Sequence, residues 1–193
     1  MQHTLLQRRA LLAGLAGAAG LAALGTAGLT QSAAAAPPSP SPSPSLHDYG
    51  VAPEFTGITQ WLNSAPLTLA SLRGKVVLVD FWTYSCINCL RTLPAVNGWH
   101  ERYAAQGLVV VGVHTPEFAF ERSTGNVQTA MKRFGVRHAV AQDNSYATWK
   151  AYGNQYWPAH YLVDAGGRIQ YKHFGEGAYE QTEAVIRTLL AAR

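Results

Sequence analysis

The chain holds two cysteines, Cys86 and Cys89, standing three positions apart. On a helix, successive residues rise about 1.5 Å and turn about 100°, so this spacing brings the two Cα atoms to roughly the separation a disulfide needs. A bridge closing so short a loop removes little entropy from the unfolded chain, which suits a bond that opens and closes better than a structural staple. The count also excludes a four-cysteine zinc site and a multi-bridge secreted scaffold. If Cys86 sits at a helix N-terminus, unpaired N–H groups and the positive end of the helix dipole favour its thiolate and make it the attacking nucleophile. Cys89, one turn further in, is then the more enclosed thiol and the resolving one, attacking a mixed disulfide to release the partner.

The elements that must position this pair are legible on either side of it. Residues 75–82 (KVVLVDFW) form a β-branched apolar run of the kind a strand covered on both faces requires. A break at Thr83-Tyr84-Ser85 leads into a predicted helix over 86–105, with Pro94 inside it as an expected kink. Residues 108–113 make a second apolar strand, parallel to the first if the helix is a crossover. Helical signals follow over 118–134, a short strand over 137–141 and another helix over 145–152. Strands over 159–163 and 168–174 then flank the turn Asp164-Ala165-Gly166-Gly167, and a closing helix covers 179–192. Upstream, 52–59 and 67–69 read as two short strands around Asn63-Ser64-Ala65-Pro66, an N-terminal hairpin. The order predicts an α/β sandwich with a mixed central sheet, an N-terminal hairpin and an inserted helix–strand segment.

Asp80 is anomalous, a carboxyl inside an otherwise apolar strand. Either it lies at an exposed strand end or it is buried, where its pKa would rise and suit it to take the Cys89 proton. Pro158 after Trp157 opens a predicted strand, where an ordinary trans proline is permitted. Trp61, Trp99 and Trp149 read as packing residues.

The chain has 193 residues, 48% hydrophobic and 13% charged. That is enough to bury one ordinary core and too short for two sizeable ones. The net charge of +4 includes Arg8 and Arg9. Without them the excess is two, with no basic stripe, so nothing points to nucleic acid. Those arginines precede an uncharged Ala/Gly/Leu run over 10–29 and the small residues Ala34-Ala35-Ala36, which together read as an export signal over 1–36. The alternative is an uncleaved membrane anchor. Arg8-Arg9 with Leu11 and Leu12 resembles a twin-arginine signal, although Gln7 stands where Ser or Thr is usual, so Sec export stays open. Residues 37–45 (PPSPSPSPS) are an extended Pro/Ser spacer, and the domain is assigned to 46–193.

Val79-Asp80-Phe81-Trp82-Thr83-Tyr84-Ser85-Cys86-Ile87-Asn88-Cys89, the Trp157-Pro158 step before a hairpin and the final helix together resemble the thioredoxin superfamily. The insert between Val113 and Ser145 is similar to its TlpA/ResA-type exported branch. More narrowly, residues 81–89, His114-Thr115-Pro116-Glu117-Phe118 and residues 152–158 resemble the C-terminal thioredoxin-like module of DipZ proteins. The resemblance covers nearly all of 50–193. It implies a thioredoxin-like sandwich and a thiol–disulfide oxidoreductase without bound cofactor or metal, with Cys86 and Cys89 as the redox pair and Asp80 as the buried acid. Pro158 matches the family's cis-proline, which would present the Trp157 backbone, beside Tyr84, to an extended substrate segment. Glu117 falls in the loop where TlpA/ResA-type proteins keep a glutamate near the dithiol; its plainer reading is a solvated loop acid. The implied partners are disulfide-bearing envelope proteins such as apocytochrome c and a membrane electron donor, the implied location extracytoplasmic, and the expected state a monomer. Ser85 stands where a tryptophan often precedes the first cysteine, and Ile87-Asn88 where reducing thioredoxins have Gly-Pro, which leaves the direction of electron flow open.

Two rival readings follow from the same residues. Thr83 stands three before Cys86, as in the peroxiredoxin loop, but Val79 occupies that loop's proline position. A copper chaperone would use Cys86, Cys89 and a histidine such as His114 or His160; a lone histidine is more often a packing or hydrogen-bonding residue.

Overall fold

In a computed structural model of the protein, the described residues are 44–193. The strands are β1 (Gln60–Leu62), β2 (Val76–Trp82), β3 (Leu108–His114), β4 (Ala139–Gln142), β5 (Ala159–Val163) and β6 (Ile169–Phe174). The helices are α1 (Ile87–Tyr103), α2 (Thr124–Arg133), α3 (Ala147–Ala151) and α4 (Tyr179–Ala191), with short 3-10 turns at Ala104–Gln106 and Ala119–Arg122. The six strands form one mixed sheet in the order β1-β4-β3-β2-β5-β6. β2 runs parallel to β3 and antiparallel to β5, and β5 pairs antiparallel with β6.

β2 is central because its side chains are wanted on both faces. All seven residues are buried, and the two-residue period of a strand divides them between two cores. Val77, Val79 and Phe81 join Val111, Val113, Ala159 and Tyr161 against Trp149 of α3. Val76 and Leu78 point the other way, to Val96 and Trp99 of α1 and Val185 and Ile186 of α4. Trp82 continues that second face, packed with Cys89 and Leu93 of α1 and Val127 and Met131 of α2. Asp80 lies between Leu78 and Trp82 and therefore faces the α1 side. A strand of this kind ends at its C-terminal edge next to a helix start, which is where α/β sheets place ligands.

Two expectations need correction. The N-terminal hairpin does not form: neither 52–59 nor 67–69 is a strand, and β1 instead adds antiparallel to β4 at the far edge of the sheet. Pro53 offers no N–H to a ladder, and Gly57 turns the chain left-handed (φ 64°). Side chains hold the segment in place, with Phe55, Ile58, Leu67 and Leu72 against the core and the Glu54 carboxylate accepting the Leu69 and Ala70 N–H groups. The helical run over 118–134 is split at Ser123, which is extended (ψ 117°) and caps α2 by accepting from Asn126 N–H.

The expected signal over 1–36 and all but the last two residues of the Pro/Ser spacer lie outside the described residues. Among the described residues, no helix is long and apolar enough to cross a membrane.

Candidate active site

Cys86 is the N-cap of α1: its backbone is extended (φ −72°, ψ 114°) and its sulfur accepts the Cys89 N–H at 3.4 Å. It is half-buried, whereas Cys89 is 1% exposed. The Cys86 thiol is pulled down to about 6, chiefly because the Cys89 thiol donates to its sulfur and the Cys89 and Asn88 N–H groups point at it; burial and the charge of Glu117 oppose the shift. Cys89 is pushed far above the ordinary thiol range, first by burial, then by its bond to Cys86, with the Asp80 charge adding to it. One sulfur is a thiolate at neutral pH and the other must lose a proton before it can react.

The Trp157-Pro158 peptide bond is cis, and the Trp157 carbonyl oxygen lies 4.0 Å from the Cys86 sulfur. Pro158 is buried at the head of β5; Trp157 is half-buried, packed on Trp149 with ring centroids 4.2 Å apart and donating Nε1–H to the Thr115 carbonyl at 3.1 Å. Tyr84 is half-buried too, but its ring stacks on His114 at 5.6 Å and its hydroxyl donates to the Phe120 carbonyl at 3.0 Å, so it ties the end of β2 to the insert.

Glu117 is exposed, and its carboxylate reaches the dithiol only as a charge that disfavours the Cys86 thiolate. The glutamate bonded to the active loop is Glu121, fully buried. It accepts the Ser85 hydroxyl at 2.5 Å, the Ser85 N–H at 3.3 Å, and the N–H groups of Glu117 and Phe118 at 2.5 and 2.8 Å. These donors hold its pKa below the usual carboxylate range against the cost of burial. The sequence hides this residue. A glutamate at the third position of a helical turn announces itself when Ser or Thr stands at the cap, and here the cap is Phe118.

Asp80 is buried, 1% exposed, and its Oδ1 lies 3.2 Å from His160 Nε2 without the alignment of a hydrogen bond. The structure thus gathers Cys86, Cys89, Trp157 and Pro158 at one strand end and puts Asp80 on the Cys89 side of the sheet, while the Glu117 side chain stays outside. Of the two histidines considered for copper, His160 Nε2 lies 3.2 Å from Asp80 Oδ1 and His114 Nε2 lies 3.3 Å from the Thr83 hydroxyl. Among the described residues no group of three or more His, Cys, Asp or Glu side chains converges as metal ligands would.

The Redoxin family model matches residues 50–190, the whole sheet and the helices up to the last residue of α4. This chain belongs to the redoxin family. Protein DipZ of Mycobacterium bovis is 53% identical over 148 residues, 75% of this chain, and the chain spans 21% of that protein's length. The thiol-disulfide oxidoreductase YkuV of Bacillus subtilis is 29% identical, over 72% of this chain and 93% of that protein. Among solved structures, a thioredoxin-like protein in its oxidized form superposes with a TM-score of 0.67 at 29% identity, covering 74% of this chain and 95% of that one. The redoxin domain therefore has the thioredoxin-like fold, and its thiol pair stands at the strand–helix junction described above.

Proposed function

We propose that this redoxin domain is an exported thiol–disulfide oxidoreductase, a reductase or redox relay for disulfide-bearing envelope proteins. The observation that carries the reading is the asymmetry of the thiols: a half-exposed sulfur favoured as thiolate stands beside a sealed one that holds its proton. The Cys86 thiolate attacks a client disulfide, forming a Cys86–client bond and expelling the other client sulfur as a thiolate. Cys89 then loses its proton, attacks the Cys86 sulfur and displaces the second client thiolate. The dithiol leaves as a Cys86–Cys89 disulfide, two electrons have passed to the client, and the expelled thiolates take protons from water. The Trp157 carbonyl next to the Cys86 sulfur suits an extended client backbone. Export draws its support from the arginine pair and apolar run ahead of the domain, and an electron donor at the membrane would return the disulfide to the dithiol.

Cys86→Ser is expected to abolish reduction of insulin disulfides, whereas Cys89→Ser is expected to accumulate a covalent adduct with the client, visible by mass and released by dithiothreitol. Normal turnover by Cys89→Ser would overturn the division of roles. Rapid peroxide consumption without disulfide exchange would overturn the reading itself.

A further inference from the structure

Asp80 stands in a row of ionisable side chains that crosses the α1-facing side of the sheet. The strand registers set it: Asp80 is opposite His160 on β5, and His160 is opposite His173 on β6. Directly opposed residues on antiparallel strands bring their side chains into contact range, and the His160 and His173 rings lie 6.2 Å apart. On the other side, Asp80 is opposite Gly112 of β3. A Cβ at that glycine would lie 2.9 Å from Trp82 Nε1 and 3.0 Å from His138 Cε1, so the missing side chain is what lets the buried His138 ring reach across towards Asp80. His138 in turn packs against His100 of α1, rings 5.9 Å apart. The row thus runs from half-buried His173 through buried His160, Asp80 and His138 to half-buried His100.

What marks this row is unused polar capacity. Of twelve buried side-chain N and O atoms without a hydrogen-bond partner among the described residues, seven belong to it or touch it: Asp80 Oδ1, Trp82 Nε1, His100 Nδ1, His138 Nε2, both nitrogens of His160 and His173 Nε2. Buried polar groups are ordinarily satisfied, and a concentration of exceptions calls for a reason. Burial lowers the pKa of His138, His100 and His173 alike, Arg137 adding to the effect at His100 and His160 at His173. Neutral imidazoles can take a proton on one nitrogen and give one up from the other.

Building on the redox reading above, we infer that His160 is a positioning and relay residue for Asp80, carrying the Cys89 proton between the buried carboxylate and the β6 edge of the sheet through His173. When Cys89 attacks the mixed disulfide, its S–H bond breaks and the proton passes to the Asp80 carboxylate. The Cys86–Cys89 bond forms, the Cys86–client bond breaks, and the client sulfur leaves with the electron pair. Asp80 passes the proton across the 3.2 Å gap to His160 Nε2 after a small ring rotation. His160 Nδ1 then hands one on towards His173 Nε2 through a bridging solvent molecule. Re-reduction of the disulfide runs the path inwards. The groups facing Asp80 are His160 from β5, His138 from before β4 and Cys89 from α1. Those facing His160 are Asp80, His173 and the Trp99 ring of α1, behind which stands Tyr179 of α4.

The test uses the reduced full chain with 5,5′-dithiobis(2-nitrobenzoate), whose first thionitrobenzoate release reports Cys86 attack and whose second, independent of reagent concentration, reports resolution by Cys89. His160→Gln and His160→Phe are expected to slow the second release roughly tenfold near neutral pH, a part of the roughly 10²–10⁴-fold typical of positioned proton transfer, and to displace its pH profile. The first release and the Cys86 thiolate midpoint should stay at wild-type values. A second release with wild-type rate and pH profile in both variants overturns the relay. Resolution unaffected by Asp80→Asn overturns Asp80 as the base and the relay with it, whereas absence of the first release overturns the redox reading instead. Since a core histidine variant can misfold, imidazole NMR on the wild type supplies the second arm. The His160 and His173 titrations should differ between dithiol and disulfide forms, and identical titrations in both forms overturn the relay.

Discussion

Glu121 and Asp80 are both buried carboxylates close to the dithiol, one in the inserted segment between β3 and β4, the other inside β2. Glu121 receives four donors from Ser85, Glu117 and Phe118. Asp80 has a poorly aligned histidine and an unpaired oxygen. A carboxylate whose lone pairs are filled by backbone N–H groups is locked as an anion and acts as a rivet, here fixing the residue before Cys86 to the insert. One with spare capacity can gain and lose a proton without dismantling anything around it. Position in the chain does not separate these roles; the count of satisfied lone pairs does.

The widest gap between the two acids should appear in the resolving step. Asp80→Asn is expected to slow Cys89-dependent release of a mixed disulfide by about 10² or more, the usual scale for losing a positioned base, while the protein stays folded. Glu121→Gln should change that rate by less than tenfold, since no proton of the reaction passes through it. Stopped-flow measurement on both variants checks the order, and equal slowing would erase the distinction.

Stability should rank the pair the other way. Glu121→Gln leaves backbone donors facing a weaker acceptor and is expected to cost about 2 kcal/mol, in the range for a hydrogen-bonded charged group. The sign with pH follows from the direction of its shift. The folded carboxyl is held below its unfolded value, so its contribution is present above the unfolded value near 4.5 and is lost as pH falls through the folded one. Urea titrations of wild type and Glu121→Gln should therefore converge as pH is lowered below about 4.5, near the unfolded carboxyl value. A gap that persists unchanged in acid would mean that packing, not charge, holds the insert.

The strand KVVLVDFW, the helix behind Cys86 and the closing β-hairpin and helix were legible because a buried central strand and an amphipathic crossover leave their pattern in consecutive residues. So were the two thiols and the oddity of Asp80. The partners of Asp80 were not, since the row from His173 to His138 exists only through the β2–β5–β6 register and the space above Gly112, both products of tertiary pairing. Glu121 was missed because a phenylalanine occupies the position where a capping residue would have flagged it, and Glu117, inside the matched motif over 114–118, drew the assignment. The misread hairpin at 52–69 has the opposite cause: Leu67 and Leu69 alternate as a strand would and Asn63-Ser64-Ala65-Pro66 has turn composition, yet the apolar residues of the segment are spent on packing.

The smallest effect expected belongs to the outer side of the Glu121 rivet. Phe118 and Phe120 stack with centroids 5.6 Å apart, yet are 51% and 56% exposed, beside Tyr84 and the active loop. Their backbone is fixed by Glu121 at Phe118 N–H and by Tyr84 and Asn126 at the Phe120 carbonyl, so the exposed rings cannot collapse into the core. Half-exposed rings add little to folding, and Phe118→Ala with Phe120→Ala should shift stability by no more than about 0.5 kcal/mol. Rings that cover a docked polypeptide would each contribute about 1 kcal/mol of apolar burial, so KM for a protein disulfide should rise roughly five- to tenfold per ring. The rate with 5,5′-dithiobis(2-nitrobenzoate), too small to span the rings, should hold. Parallel loss with both substrates would mean that the aromatic pair shapes the thiolate rather than the client's seat, and would move it to the Asp80 side of the comparison.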